Sequence, residues 1–143
     1  MMVKFAVACV FLFIIAIIDC KKFIIPDFIL IVFFLTMLAF DLNKGEVSIL
    51  SRITGAGVMF LIFLLVYYFS GGLGFGDVKL IGCITYTFGL NYSIYACMVA
   101  SIMGLIFFGL NRVIGFGKIE KIPFAPFLTV GCIVILVLRG FFK

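Results

Sequence analysis

Charged residues are scarce in this chain of 143 residues, and histidine and tryptophan are absent. Only 12% of the residues are charged, whereas 66% are hydrophobic. In a soluble domain about 25% of the residues are charged and about 45–50% are apolar. These proportions exclude a soluble enzyme and a disordered chain, and they indicate an integral membrane protein. The absence of histidine excludes Ser-His-Asp and Cys-His catalysis, zinc sites of the histidine type and histidine-held haem.

The five cysteines and the net charge of +5 do not point to a site of their own. No two cysteines form a C-x-x-C pair, so we expect them to be small packing residues, and we expect no metal and no cofactor. The basic residues stand singly or in pairs at the ends of apolar stretches, where snorkelling and topology explain them. We therefore expect no nucleic-acid partner, and membrane lipid as the surroundings.

The apolar stretches predict an all-α, polytopic membrane protein, a bundle of about six transmembrane helices in a single domain over residues 1–143. Six spans of about 20 residues leave room only for short connections. The first three predicted spans are residues 5–19, 24–40 and 53–69. The fourth begins near Asp77 and includes residues 80–90. The fifth and sixth are residues 94–110 and 123–138. We expect Pro26 and Asp27 in the first turn of the second span and a turn at residues 91–93. The connections on one side of the membrane carry six basic residues and those on the other side carry five. This difference is too small to fix the orientation of the bundle in the membrane.

The six acidic residues fall into two groups. Asp41, Glu46 and Glu120 are expected to be solvated loop charges. Asp19, Asp27 and Asp77 lie near the membrane, where a buried acid is costly and usually faces a cavity or a partner. Asp19 closes an odd span and Asp77 opens an even one, so the two lie at the same membrane face.

A facing pair of carboxylates can share one proton. One carboxylate then takes a proton from water while the other donates to a peptide group, which is hydrolysis by general acid–base catalysis. Two alternatives stay open from the chemistry alone. In the first, the two acids form structural ion pairs, Asp19 with Lys22 and Asp77 with Lys79 or a loop base. In the second, they form part of an ion or proton path.

Three segments carry a resemblance to a known family. Residues 74–80 read G-F-G-D-V-K-L and resemble the G-x-G-D-V-K-L segment of the type IV prepilin peptidases, which are intramembrane aspartic peptidases. Residues 19–27 resemble the family's D-x(6)-P-[ND] segment, and residues 123–128 resemble its P-F-[GA]-P-F-L segment. A phosphate-binding loop is excluded, because the glycines do not form G-x-G-x-x-G and no βαβ unit surrounds them.

The resemblance implies that Asp19 and Asp77 are the catalytic pair. It implies an endopeptidase of the cytoplasmic (inner) membrane that removes a short basic leader from prepilins or pseudopilins, whose hydrophobic helix would lie in the bilayer beside the bundle. Asp27 is expected to be a helix-capping or substrate-adjacent group. The other residues of the three segments are expected to support the site: Gly74, Gly76, Lys79, Pro26, Pro123 and Pro126.

Larger members of the family carry an added cytoplasmic domain, often with paired cysteines, and methylate the new N-terminus. This sequence begins directly at its first span, so we expect a short form that cleaves without methylating. The presenilin-type relatives are more distant, since their Tyr-Asp and Pro-Ala-Leu segments are absent. The rival hypotheses are a small ion- or proton-translocating bundle that uses the same carboxylates, and a non-enzymatic assembly factor. The oligomeric state does not follow from the sequence.

Overall fold

The computed structural model describes residues 2–44, 49–70, 72–114 and 123–141. Within them the chain forms six α-helices: α1 (Met2–Lys22), α2 (Asp27–Lys44), α3 (Ile49–Ser70), α4 (Phe75–Phe88), α5 (Leu90–Ile114) and α6 (Ala125–Phe141). Three stretches, Val3–Lys22, Ile49–Ser70 and Leu90–Asn111, are long and apolar enough to cross a membrane. The prediction of an all-α membrane bundle is confirmed.

Helix α4 lies at the centre of the packing. Helices α2, α3 and α5 all pack against it, while α6 packs against α1 and α5. Most of its side chains are buried, because other helices surround it. Because it has only 14 residues, it is about 21 Å long, which is shorter than the roughly 30 Å hydrocarbon layer.

The C-terminal end of α4 is stabilised by a cluster of charged side chains. Arg52 donates hydrogen bonds to the carbonyl oxygens of Tyr86 (3.2 Å) and Thr87 (2.9 Å), which lie in the last turn of α4. The last four carbonyls of a helix lack a partner within it, so a side-chain donor satisfies them. Arg52 is 3.7 Å from Oδ2 of Asp41, whose Oδ1 is 2.6 Å from Nζ of Lys4.

The interpretation of Asp41 as a solvated loop charge is therefore wrong. Asp41 lies inside α2, its side chain is only 10% exposed, and it faces two cations on other helices. No local pattern in the sequence indicates this, since Lys4 is 37 positions away. Glu46 and Glu120 lie outside the described residues.

Three further local predictions are corrected by the helix boundaries. The predicted turn at residues 91–93 lies inside α5, and the chain instead breaks at Gly89, whose φ of +92° favours glycine. Pro26 directly precedes α2 and is not in its first turn. Its carbonyl oxygen accepts hydrogen bonds from the backbone N–H groups of Ile29 and Leu30. Pro123 likewise precedes α6.

Candidate active site

The Asp19 carboxylate is held by helices from the two ends of the chain. Asp19 lies near the end of α1 and is only 5% exposed. Its Oδ2 accepts a hydrogen bond of 3.1 Å from the backbone N–H of Ala125, the first residue of α6. The first N–H groups of a helix have no partner within the helix and attract negative charge. The start of α6 therefore orients this carboxylate.

The Asp77 carboxylate folds back onto the start of its own helix. Its Oδ2 accepts a hydrogen bond of 3.3 Å from the backbone N–H of Gly74, the residue before α4. A side chain at Gly74 would place its Cβ 2.9 Å from Oδ2 of Asp77. Glycine therefore lets the carboxylate approach this closely, whereas a larger residue would displace it. Oδ1 of Asp77 is buried without a hydrogen-bond partner among the described residues.

The second glycine of the segment lets α4 approach the connection between α1 and α2. A Cβ on Gly76 would lie 3.0 Å from the Cβ of Ile25. That connection reverses at Phe23, which has a φ of +53° and donates its N–H to the carbonyl of Asp19. Left-handed backbone is unusual for an aromatic residue. The reversal brings the residues that follow Asp19 to the start of α4.

Asp19 and Asp77 line the same cavity, which has a volume of about 470 Å³. The negative charge of Asp19 acts on Asp77, and two neighbouring carboxylates disfavour ionisation of both at once. The rest of the lining comes from the connection between α1 and α2 and from the start of α4, and it includes Ile25, Pro26, Asp27, Gly74, Gly76 and Lys79. Pro123 and Pro126 are half-buried beside Ala125 and do not line the cavity.

Lys79 forms an ion pair that the sequence did not predict. Its Nζ is 2.7 Å and 2.8 Å from the two carboxylate oxygens of Asp27, and it lies 4.6 Å from the centre of the Phe75 ring. Lys79 is thus paired with Asp27 rather than Asp77. Within the described part of the chain neither Asp19 nor Asp77 forms an ion pair, which weakens the purely structural alternative.

The contact from Ala125 to Asp19 is the part of the site that sequence reasoning missed. A backbone N–H is present in every residue except proline, so its donor role leaves no residue-type signal. The one available hint was the third resembling segment, residues 123–128, which contains Ala125 between two prolines. In that segment the sequence points to Pro123 and Pro126 as supporting residues and not to a backbone donor between them.

The sequence matches a known protein family. Residues 6–109, which include both aspartates, match the type IV leader peptidase family. The chain belongs to this family. The resemblance found in the sequence is thereby confirmed. The match ends before α6, so the Ala125 contact lies outside it.

A curated relative of the type IV leader peptidase family is the prepilin leader peptidase/N-methyltransferase of Pectobacterium carotovorum subsp. carotovorum. It is 28% identical over 141 residues, which cover 92% of this chain and 50% of the relative. The chain thus spans about half the length of the curated relative that it matches. No solved structure matches the chain.

Proposed function

We propose that this chain is an aspartic endopeptidase that removes the short basic leader of type IV prepilins or pseudopilins at the cytoplasmic face of the inner membrane. The observation that carries the proposal is the meeting of Asp19 and Asp77 on one cavity. The family match and the name of the relative support the substrate class. The family match does not favour the ion-translocating alternative.

In the proposed reaction the carboxylate pair holds one proton. The ionised carboxylate accepts a proton from water as the water attacks the peptide carbonyl carbon, and the protonated carboxyl donates its proton to the carbonyl oxygen. When the C–N bond then breaks, one carboxyl gives its proton to the leaving amine and the other carboxylate takes a hydroxyl proton from the intermediate, so the pair again holds one proton. Oδ1 of Asp77 is buried and has no hydrogen-bond partner within the described segments, so its acceptor capacity is unfilled. The N–H groups of Gly74 and Ala125 each hold one carboxylate oxygen in place, so the pair is oriented before substrate arrives.

In our proposal the hydrophobic helix of the substrate binds in an apolar groove beside this cavity. It has a volume of about 350 Å³ and is lined by α2, α3 and α4. Lys79 lines both the groove and the carboxylate cavity. Small residues line it on two helices, Gly57 on α3 and Gly82 on α4, and small residues let helices approach closely in lipid. In our proposal the substrate helix lies here, with its scissile bond at the carboxylates.

The proposal covers cleavage without methylation of the product. To test both parts, the chain is reconstituted in liposomes with a prepilin and a methyl donor, and the product is analysed by mass spectrometry. We expect the mass of the leader to be lost and no methyl group to be gained. A methylated product would contradict the second part alone, whereas an uncleaved prepilin would contradict the first.

A further inference from the structure

The cavity that contains the carboxylate pair has an excess of negative charge. Among the residues that the structure describes, three acids, Asp19, Asp27 and Asp77, and one base, Lys79, line it. Even when Asp19 and Asp77 share a proton, one uncompensated negative charge remains. Such a cavity attracts cationic groups and repels anionic ones.

Asp27 is the acid that a ligand in this cavity reaches most easily. Its side chain is 64% exposed, whereas Asp19 is 5% exposed. Asp27 is also the first residue of α2, directly after Pro26. Its backbone is therefore fixed at a helix start, where a carboxylate is favoured.

Asp27 already binds an ammonium group in this structure. Both of its oxygens accept from Nζ of Lys79, at 2.7 Å and 2.8 Å. Each carboxylate oxygen has two lone pairs, so the Lys79 contact leaves acceptor capacity on the exposed side. The ring of Phe75, 4.6 Å from Nζ, holds Lys79 in place by a cation–π contact. A second cation can thus bind Asp27 without displacing Lys79.

We propose that Asp27 is a specificity-determining residue that binds an ammonium or guanidinium group of the substrate's leader. The inference rests on the proposed function and names the residue that recognises the charge of the leader. Asp27 takes no part in the proton transfers, which belong to Asp19 and Asp77. It acts on substrate binding alone.

The test compares two leader peptides in a cleavage assay, one with its natural basic residues and one with those residues replaced by glutamine. In the wild type we expect the basic leader to have a lower KM by roughly two- to five-fold, the range of an exposed ion pair, with kcat unchanged. Asp27→Asn should abolish this preference. Asp27→Glu, which keeps the carboxylate, should retain it.

The variant Lys79→Met distinguishes a role of Asp27 in substrate binding from a structural role of its ion pair with Lys79. This variant breaks the pair but leaves the Asp27 carboxylate, so we expect the preference for the basic leader to persist. A loss equal to that in Asp27→Asn would show that the pair is structural and would overturn the proposal, as would an undiminished preference in Asp27→Asn. If the wild type cleaves neither leader, the proposed function itself fails, and this inference fails with it.

Discussion

The backbone N–H of Ala125 donates a hydrogen bond of 3.1 Å to Oδ2 of Asp19, a residue 106 positions earlier. This contact joins the start of α6 to the end of α1 and makes the last helix part of the site. Since the donor is a backbone group at a helix start, it favours the ionised form of the carboxylate. The orientation of Asp19 therefore depends on a helix that contains no acidic residue of its own.

The role of this donor can be tested with a variant that lacks the N–H group. Ala125 is the first residue of α6, a position where proline is tolerated. We expect Ala125→Pro to lower kcat/KM by roughly ten-fold or more, the value of a hydrogen bond to a charged group. Ala125→Val adds bulk at the same buried position but keeps the N–H. Equal losses in the two variants would show that bulk, not the hydrogen bond, matters.

Removal of the buried acid near the C-terminal end of α4 should destabilise the protein. Asp41→Ala leaves Lys4 and Arg52 without their partner, and we expect a loss of about 3–5 kcal/mol in the free energy of unfolding. Asp27→Ala is the matched control, because its ion pair is largely exposed and such pairs contribute about 1 kcal/mol or less. Unfolding in detergent measures both. Similar losses would contradict the buried role of Asp41.

Obstruction of the apolar groove should impair cleavage of a full prepilin. A Cβ on Gly57 meets no atom of the described residues within 4 Å, so a larger side chain has space there. We expect Gly57→Leu to raise KM for a full prepilin by roughly ten-fold, the cost of overpacking an interface. A short leader peptide without the hydrophobic helix should be cleaved as before.

Gly109 on α5 provides the control for this test. Within the part of the chain that the structure describes, a Cβ on Gly109 likewise meets no atom within 4 Å, and this residue does not line the groove. Gly109→Leu should therefore leave cleavage of both substrates unchanged. If Gly57→Leu impairs the short peptide as strongly as the full prepilin, the groove is not the place of the substrate helix.

Much of the fold was predictable because it follows from local sequence. The apolar stretches indicate the helices, and the order of the spans predicts that Asp19 and Asp77 lie at one face. The errors arise where a distant contact decides the structure. The sequence around Asp41 is typical of a loop, but the structure places this acid against Lys4 and Arg52.

The end of α4 illustrates the same limit. It falls at Gly89 rather than at the polar residues 91–93. The sequence there contains polar residues that are typical of a turn, but Arg52 satisfies the last carbonyls of α4 from another helix. A donor on α3 thus allows the helix to end before the polar residues are reached.

The most direct test of the central claim is a cleavage assay with Asp19→Asn and Asp77→Asn, measured beside the wild type on a prepilin in liposomes. Each amide keeps the size of the side chain but cannot exchange the proton. We expect each variant to unfold like the wild type and to lose at least about 100-fold in the cleavage rate, the contribution of a general acid or base. Appreciable cleavage by either well-folded variant would contradict the aspartate pair.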